Sequence, residues 1–184
     1  MFYEMFSFIV EIVAGILGGF LLLRFWMQAL RLRPPNSLGL AIFQITDWLV
    51  KPIRRLVPGF GGFDWASLIG AFLVAFLSIL LESLFTMQHH PGIFLLLALL
   101  RLCQWVIYGL MALLVLEAIL SFVNPYAPIA PLIRALNQPI LSPLRRIIPP
   151  IGGIDFSVLV ALIILQLLGR VLMSALPNLY FYLA

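Results

Sequence analysis

Hydrophobic residues fill four long stretches of the chain, and polar residues are concentrated between them. The stretches cover about residues 6–30, 65–84, 92–120 and 156–176. Each is long enough to cross the ~30 Å hydrocarbon core of a bilayer, which takes about 20 residues of helix. The pattern therefore predicts four transmembrane helices.

Two shorter segments, one within each pair of spans, show a helical period with polar residues on one side. In residues 38–57 the polar stripe consists of Gln44, Asp47, Lys51, Arg54 and Arg55. In residues 129–148 it consists of Arg134, Gln138, Ser142, Arg145 and Arg146. Such a stripe indicates an amphipathic helix that lies on the membrane surface or re-enters it. We expect a bend or an interruption at Pro52 and Pro143, since proline disturbs helix interiors.

The same motif occurs twice in the chain. KPIRRLVPGFGGFD at 51–64 returns as SPLRRIIPPIGGID at 142–155, and seven of the 13 positions from Pro52 to Asp64 are identical. This duplication divides the chain into a first repeat, residues 1–91, and a second repeat, residues 92–184. Because each repeat crosses the membrane twice, the two repeats have the same orientation. We expect a pseudo-two-fold axis along the membrane normal to relate them.

The end of the motif predicts how the second span of each repeat begins. A glycine pair permits a sharp turn, and the aspartate that follows can cap the next helix by accepting a bond from a free backbone N–H. These turn and cap residues are Gly61, Gly62 and Asp64 in the first repeat, and Gly152, Gly153 and Asp155 in the second. Capping is the favoured role of the aspartates, and pairing with nearby arginines is the alternative.

Composition supports a membrane protein. Hydrophobic residues make up 64% and charged residues 10% of the 184 residues, and the mean hydropathy is +1.15. A soluble domain is closer to half apolar and a quarter charged. The pattern and composition together predict an all-α membrane protein of four transmembrane helices, arranged as two parallel two-span repeats.

Basic residues predict the orientation of the chain. Eight of the 11 Lys and Arg residues lie in the two connections that carry the amphipathic helices. The positive-inside rule places these connections on the cytoplasmic side and both termini outside.

Six charged residues fall inside the predicted spans, three basic and three acidic. Charge in hydrocarbon is costly and is normally paired or lines a cavity. The repeat offset predicts three pairs that fasten the repeats together. The pairs are Glu11 with Arg101, Arg24 with Glu117, and Glu82 with Arg170. The alternative is that the same residues line an ion or proton path.

Other polar residues point to binding rather than catalysis. Arginines on a surface helix fit anionic headgroups or an acidic partner, at about 1 kcal/mol each, although they could also only set the topology. The arginines concerned are Arg54, Arg55, Arg145 and Arg146. The adjacent residues His89 and His90 make a poor metal site, and no phosphate-binding loop or zinc signature is present. We therefore predict no catalytic residue, no metal site, no cofactor and no enzyme activity.

The repeated motif, with NPYAPIAPLIRALNQPILS before its second copy, closely resembles the YggT (YlmG) family of small integral membrane proteins. The resemblance covers nearly the whole chain as two copies. The first copy departs from it where RLRPPNS replaces SFVNPYAP. The resemblance implies a bacterial inner-membrane location and a link to osmotic stress or cell division; for plastid relatives it implies assembly of a cytochrome complex. It assigns no molecular activity.

These observations predict a non-enzymatic inner-membrane scaffold or assembly factor whose surface arginines engage anionic lipid or an acidic partner. The alternative is an ion-conducting protein of osmotic adaptation, with a path along the pseudo-two-fold axis. The expected partners are anionic membrane lipids and another membrane protein, with self-association left open. Nucleic acid is not an expected partner.

Overall fold

The computed structural model describes residues 2–84, 91–148 and 155–183. They form six helices: α1 (Phe2–Ala29), α2 (Asn36–Leu56), α3 (Trp65–Ser83), α4 (Pro91–Val123), α5 (Ala130–Ile147) and α6 (Ser157–Leu183). Four of them, α1, α3, α4 and α6, are long and apolar enough to cross a membrane. The described residues contain no strand, apart from an isolated bridge between Phe60 and Phe63. The predicted all-α architecture is confirmed.

Several helices extend beyond the predicted bounds. α1 already includes Phe2, and α6 continues to Leu183 instead of ending before Pro177. The surface helices α2 and α5 likewise run without interruption through Pro52 and Pro143. A proline removes one hydrogen bond from a helix, and the bonds on either side of it are enough to continue a long helix that packs against neighbours.

The surface helices bury one face against the spans. In each helix, a line of three residues spaced four apart is buried. In α2 the line is Ile42, Thr46 and Val50, and in α5 it is Ile133, Asn137 and Leu141. These positions correspond across the 91-residue offset. The two repeats therefore dock their surface helices through equivalent residues, with one polar side chain in the middle of each line.

The four spans pack asymmetrically. α4 packs along both spans of the first repeat, α1 and α3, whereas α6 packs along α4 and α5. In the repeats, α6 is equivalent to α3 and α1 is equivalent to α4. If a pseudo-two-fold axis related the repeats, α6 would pack on α1 as extensively as α3 packs on α4. The described residues show no such contact between α6 and α1. The predicted two-fold arrangement is therefore wrong. The small residues Ala71, Ala75 and Ser78 of α3 are buried, and Ser78 accepts a hydrogen bond from Arg101 of α4; small residues allow close approach. The equivalent residues of α6 are Leu162, Gln166 and Gly169.

The two repeats also meet where α1 crosses α4. A Cβ atom on Gly18 would lie 2.2 Å from a ring carbon of Trp105, so only glycine fits there. Further along, towards α2 and α5, the two helices leave an apolar pocket of about 360 Å³ between them. Trp26 lines this pocket, and its indole N–H donates to the Leu136 carbonyl of α5 at 3.0 Å.

Candidate functional site at the surface helices

A buried arginine of α1 organises the polar residues of the first repeat. Arg24 is 6% exposed, and its Nη1 donates to Thr46 Oγ1 at 2.8 Å and to Asp47 Oδ1 at 2.7 Å. Its Nε lies 3.3 Å from Oδ2 of Asp64, which is 1% exposed. One side chain from a span thus joins the surface helix α2 to the turn before α3.

Asp64 connects this network to the helix that follows it. It is the N-cap residue of α3, where its carboxylate accepts from the Ser67 N–H at 3.4 Å and from the Ser67 hydroxyl at 2.7 Å. The same carboxylate accepts from Arg54 Nη2 at 2.6 Å. Burial on its own raises the pKa of Asp64, but the Ser67 and Arg54 hydrogen bonds and the charges of Arg54 and Arg24 outweigh it. The pKa therefore lies below its usual value, and the carboxylate stays ionised.

The turn before α3 has the backbone that its glycines predict. Gly61 and Gly62 have φ angles of +68° and +84°, which L side chains rarely adopt. The Trp65 indole N–H donates to the Phe60 carbonyl across this turn at 3.0 Å. The equivalent Gly152 and Gly153 lie outside the described residues.

The second repeat builds a similar network around an acid. Glu117 of α4 is 7% exposed and accepts from Asn137 Nδ2 at 2.7 Å and from Arg145 Nη2 at 3.1 Å. Arg145 Nε also donates to Asp155 Oδ2 at 2.7 Å, and Asp155 Oδ1 accepts from the Ser157 N–H at 3.0 Å. Burial by itself lowers the pKa of Arg145, but its bonds and ion pairs with Asp155 and Glu117 raise the pKa above its usual value. Burial by itself raises the pKa of Asp155, and bonds from Arg145 and Ser157 lower it below its usual value.

The two networks share one element and differ in another. The shared element is the pair of the motif arginine and the motif aspartate, Arg54 with Asp64 and Arg145 with Asp155. The difference is the charge of the buried residue that the first span of each repeat contributes. This residue is the cation Arg24 in the first repeat and the anion Glu117 in the second. Each repeat therefore ties its surface helix to both of its own spans.

The ion pairs predicted from the repeat offset are wrong. Arg24 pairs with Asp47 and Asp64, and Glu117 pairs with Arg145, so both partners lie within one repeat. The repeat offset compared only the charged residues of the spans with one another, whereas Arg24 and Glu117 pair with residues of the surface helices and of the turn before α3.

Arg101 pairs with a different acid from the one predicted. Its Nη1 and Nη2 donate to the two carboxylate oxygens of Glu82 at 2.7 and 2.9 Å, and Nη1 also donates to Ser78 Oγ at 2.9 Å. This pair joins α3 to α4 and is the one ion pair between the repeats among the described residues. The remaining predicted members, Glu11 and Arg170, are exposed on α1 and α6.

Thr46 and Asn137 are functional residues that the sequence analysis missed. Each is fully buried and contacts the charged residue of the neighbouring span. A signal was present, because both stand at the same repeat position on the otherwise apolar side of an amphipathic helix. Asn137 Oδ1 has no hydrogen-bond partner among the described residues.

The exposed face of α5 carries uncompensated positive charge. An open depression of about 540 Å³ runs along it, lined by Pro131, Arg134, Ala135, Gln138, Ser142, Arg145 and Arg146. None of the described residues that line it carries a carboxylate. Arg134 makes one long bond, from Nη2 to the Pro125 carbonyl at 3.5 Å, and Arg146 makes no ion pair with a described residue.

The equivalent face of α2 includes a carboxylate, Asp47, which pairs with two cations. Where α5 has Arg134, Gln138 and Ser142, α2 has Phe43, Asp47 and Lys51. The Arg24 guanidinium lies 4.7 Å above the Phe43 ring, and Asp47 bonds both Arg24 and Lys51, the latter at 2.9 Å. Burial by itself raises the pKa of Asp47, but these bonds and charges lower it below its usual value, so the acid remains ionised. Arg55 is exposed beyond this network.

The described residues contain no group of three or more His, Cys, Asp or Glu side chains that could hold a metal ion. His89 and His90 lie outside them. The candidate site thus consists of ion pairs that connect the helices and of the basic face of α5.

Comparison with known proteins agrees with the duplication. The family model described as CCB3/YggT matches residues 3–85 and again residues 96–176. An uncharacterized protein of Vibrio alginolyticus is 34% identical, over 87% of this chain and 89% of its own length. An uncharacterized protein of Pseudomonas aeruginosa is 32% identical, over 91% of this chain and 87% of its own length.

The uncharacterized protein YggT of Escherichia coli is also 32% identical, over 89% of this chain and 86% of its own length. No solved structure matches. Two matches of the family model in tandem, each covering one pair of spans and its surface helix, show that this chain belongs to the CCB3/YggT family.

Proposed function

We propose that this protein is a non-enzymatic scaffold of the bacterial inner membrane, with α2 and α5 on the cytoplasmic side. Its surface helices are held rigidly on the spans, and the basic face of α5 binds the phosphate groups of anionic lipids. The observation that supports this most directly is the depression on α5, which combines arginines with neutral hydrogen-bond donors and has no carboxylate in its lining.

The geometry divides the four motif arginines into two roles. Arg54 and Arg145 bond the motif aspartates and hold the surface helices in place. Arg55 and Arg146 are exposed and are free to bind. Arg134 extends the binding face of α5, because it lies on the same side of the helix as Arg146.

The chemistry of the depression suits phosphate. Arginine presents a planar fork of N–H donors that matches phosphate oxygens, and Gln138 and Ser142 supply neutral donors beside it. Each basic residue near an anionic membrane surface contributes about 1 kcal/mol. On the α2 face, Asp47 pairs with Lys51, so a phosphate group bound there would meet a carboxylate and one fewer free cation.

The space between the repeats favours a scaffold over a conducting path. The pocket between α1 and α4 is lined by apolar side chains and glycines, whereas an ion path needs polar groups that replace water. The buried Arg24 and Glu117 are bonded to the surface helices instead. A link to osmotic stress or cell division stays a prediction from the family resemblance.

Lipid retention tests the proposal. The full chain is purified into nanodiscs that contain phosphatidylglycerol and phosphatidylcholine, and native mass spectrometry counts the anionic lipids that stay bound. Arg134→Gln with Arg146→Gln removes two charges from α5, and Lys51→Gln with Arg55→Gln is the matched control on α2. We expect the α5 variant to lose affinity about 30-fold, from two contributions of about 1 kcal/mol each, and the control to lose less, because Lys51 is already paired with Asp47.

Equal losses in the two variants would remove the distinction between α5 and α2. An α5 variant that retains lipid as the unchanged protein does would overturn lipid binding altogether. Selective capture of an acidic protein at α5 without lipid retention would favour an acidic partner over phospholipid.

A further inference from the structure

Two charged residues inside the spans have no partner among the described residues. Glu11 of α1 and Arg170 of α6 have exposed side chains, and neither makes an ion pair or hydrogen bond with a described residue. The other four charged residues of the spans are all bonded. Because an unpaired charge in hydrocarbon is costly and marks function, these two need partners from outside the chain.

Arg170 lies on the face of α6 that points away from the bundle. α6 packs on α4 through Ala161 and Leu165, and Gly169 is close to Ile107 of α4. Arg170 is about 140° around the helix from the mean direction of these three residues, at 100° per residue. The exposed Gln166 and Ser174 stand four residues before and after it, so a polar stripe runs along a face that would otherwise contact lipid.

Glu11 and Arg170 lie at similar depth in the membrane. Each repeat has a charge network where its spans meet the surface helix, and these networks serve as equivalent reference levels: Arg24 contacts Asp64, and Glu117 is joined through Arg145 to Asp155. Glu11 is 13 residues from Arg24, or about 19.5 Å, and Arg170 is 15 residues from Asp155, or about 22.5 Å, at 1.5 Å per residue. The difference of about 3 Å is within the reach of an arginine side chain.

We propose that two copies of this chain associate head to tail, with α6 of one copy against α1 of the next and Arg170 paired with Glu11. The equivalence of helices between the two repeats supports a second copy of the chain as the partner. Within the chain, α3 packs on α4 through the Glu82–Arg101 pair, and α6 and α1 are the repeat equivalents of α3 and α4. The contact between copies continues the contact between repeats, with the signs of the two charges exchanged.

The two surfaces of this contact are different, so the association is heterologous and builds a ring or an open row. This predicts an unusual response to charge reversal. A chain with Glu11→Arg carries two positive faces, and a chain with Arg170→Glu carries two negative faces. Neither associates with itself, but the two chains alternate when they are mixed, and the double reversal in one chain associates again.

Cysteine crosslinking in membranes measures this contact. Ser7 and Ser174 each lie one turn from the charges, on the same side of Glu11 and Arg170 as the outer ends of the helices. Full-length chains carrying Cys103→Ala, Ser7→Cys and Ser174→Cys should form a ladder of crosslinked species on mild oxidation. Each single reversal should reduce crosslinking about tenfold or more, because like charges then meet in hydrocarbon. The mixture and the double reversal should restore it.

The neutral variants Glu11→Gln and Arg170→Gln keep the test valid if a charge-reversed chain fails to insert into the membrane, since an amide side chain enters the bilayer more easily than a charged one. Each should fold and still lose crosslinking. The proposal is overturned if the single reversals crosslink as well as the starting chain, or if the mixture gives no recovery. Crosslinks that form only between two Ser7→Cys or two Ser174→Cys positions would show an isologous contact and would also overturn it.

Discussion

Replacing Arg24 by methionine should destabilise the fold more than replacing the better exposed Arg54 by glutamine. Arg24 is 6% exposed and holds Thr46, Asp47 and Asp64 together. Breaking a buried ion pair by removing one partner costs about 3–5 kcal/mol. Because Asp47 keeps Lys51 and Asp64 keeps Arg54, we expect the lower end of this range, about 3 kcal/mol.

The matched variant Arg54→Gln should cost about 1 kcal/mol, since 45% of the Arg54 side chain is exposed and exposed pairs contribute little. The two changes together leave Asp64 without a cation among the described residues. The double variant should therefore lose about 1–2 kcal/mol more than the sum of the single losses. Adding Asp64→Asn to Arg24→Met should recover part of the loss, because it removes the buried charge.

Steric trapping in bicelles measures the free energy of unfolding of each variant. Equal costs for Arg24→Met and Arg54→Gln would refute the assignment of Arg24 as the centre of the network. Strict additivity in the double variant would show that the two arginines do not share Asp64.

Acid should destabilise the protein through Asp64 and Asp155, whose pKa values are lowered by the fold. A lowered pKa contributes stability above the unfolded-state pKa of about 3.9, and this contribution is lost as the pH falls through the folded-state pKa. Unfolding followed between about pH 5 and pH 2 should show this loss, and the Asp64→Asn, Asp155→Asn variant should show a shallower dependence. Gly18→Ala should cost about 1–3 kcal/mol, because its Cβ would meet Trp105 at 2.2 Å. At the equivalent Gly109 nothing lies within 4 Å, so Gly109→Ala should stay within about 0.5 kcal/mol; thermal unfolding in detergent compares the two.

The sequence predicts the elements of this fold well because hydrophobic length and helical period act locally. The four spans and the two surface helices follow from these patterns alone. The positions of Gly61, Gly62 and Asp64 follow from the motif, since a sharp turn and a helix N-terminus have strong preferences for these residues.

The partners of the charged residues could not be predicted in the same way. They depend on which spans are neighbours, and the repeat offset, which matches only the depth of residues, gave Arg101 the acid Glu11 in place of Glu82. The buried contacts of Thr46 and Asn137 depend on the distance between each surface helix and the spans. That distance is set by tertiary packing and cannot be predicted from the helical period of the sequence.

The central claim is that two repeats of the same orientation hold both surface helices on one side of the membrane. The most direct test places a single cysteine at position 55 or 146 of a Cys103→Ala chain. A membrane-impermeant maleimide is then added to sealed vesicles of known orientation. We predict that both positions react from the same side, the cytoplasmic one. Reaction of the two positions from opposite sides would contradict the account.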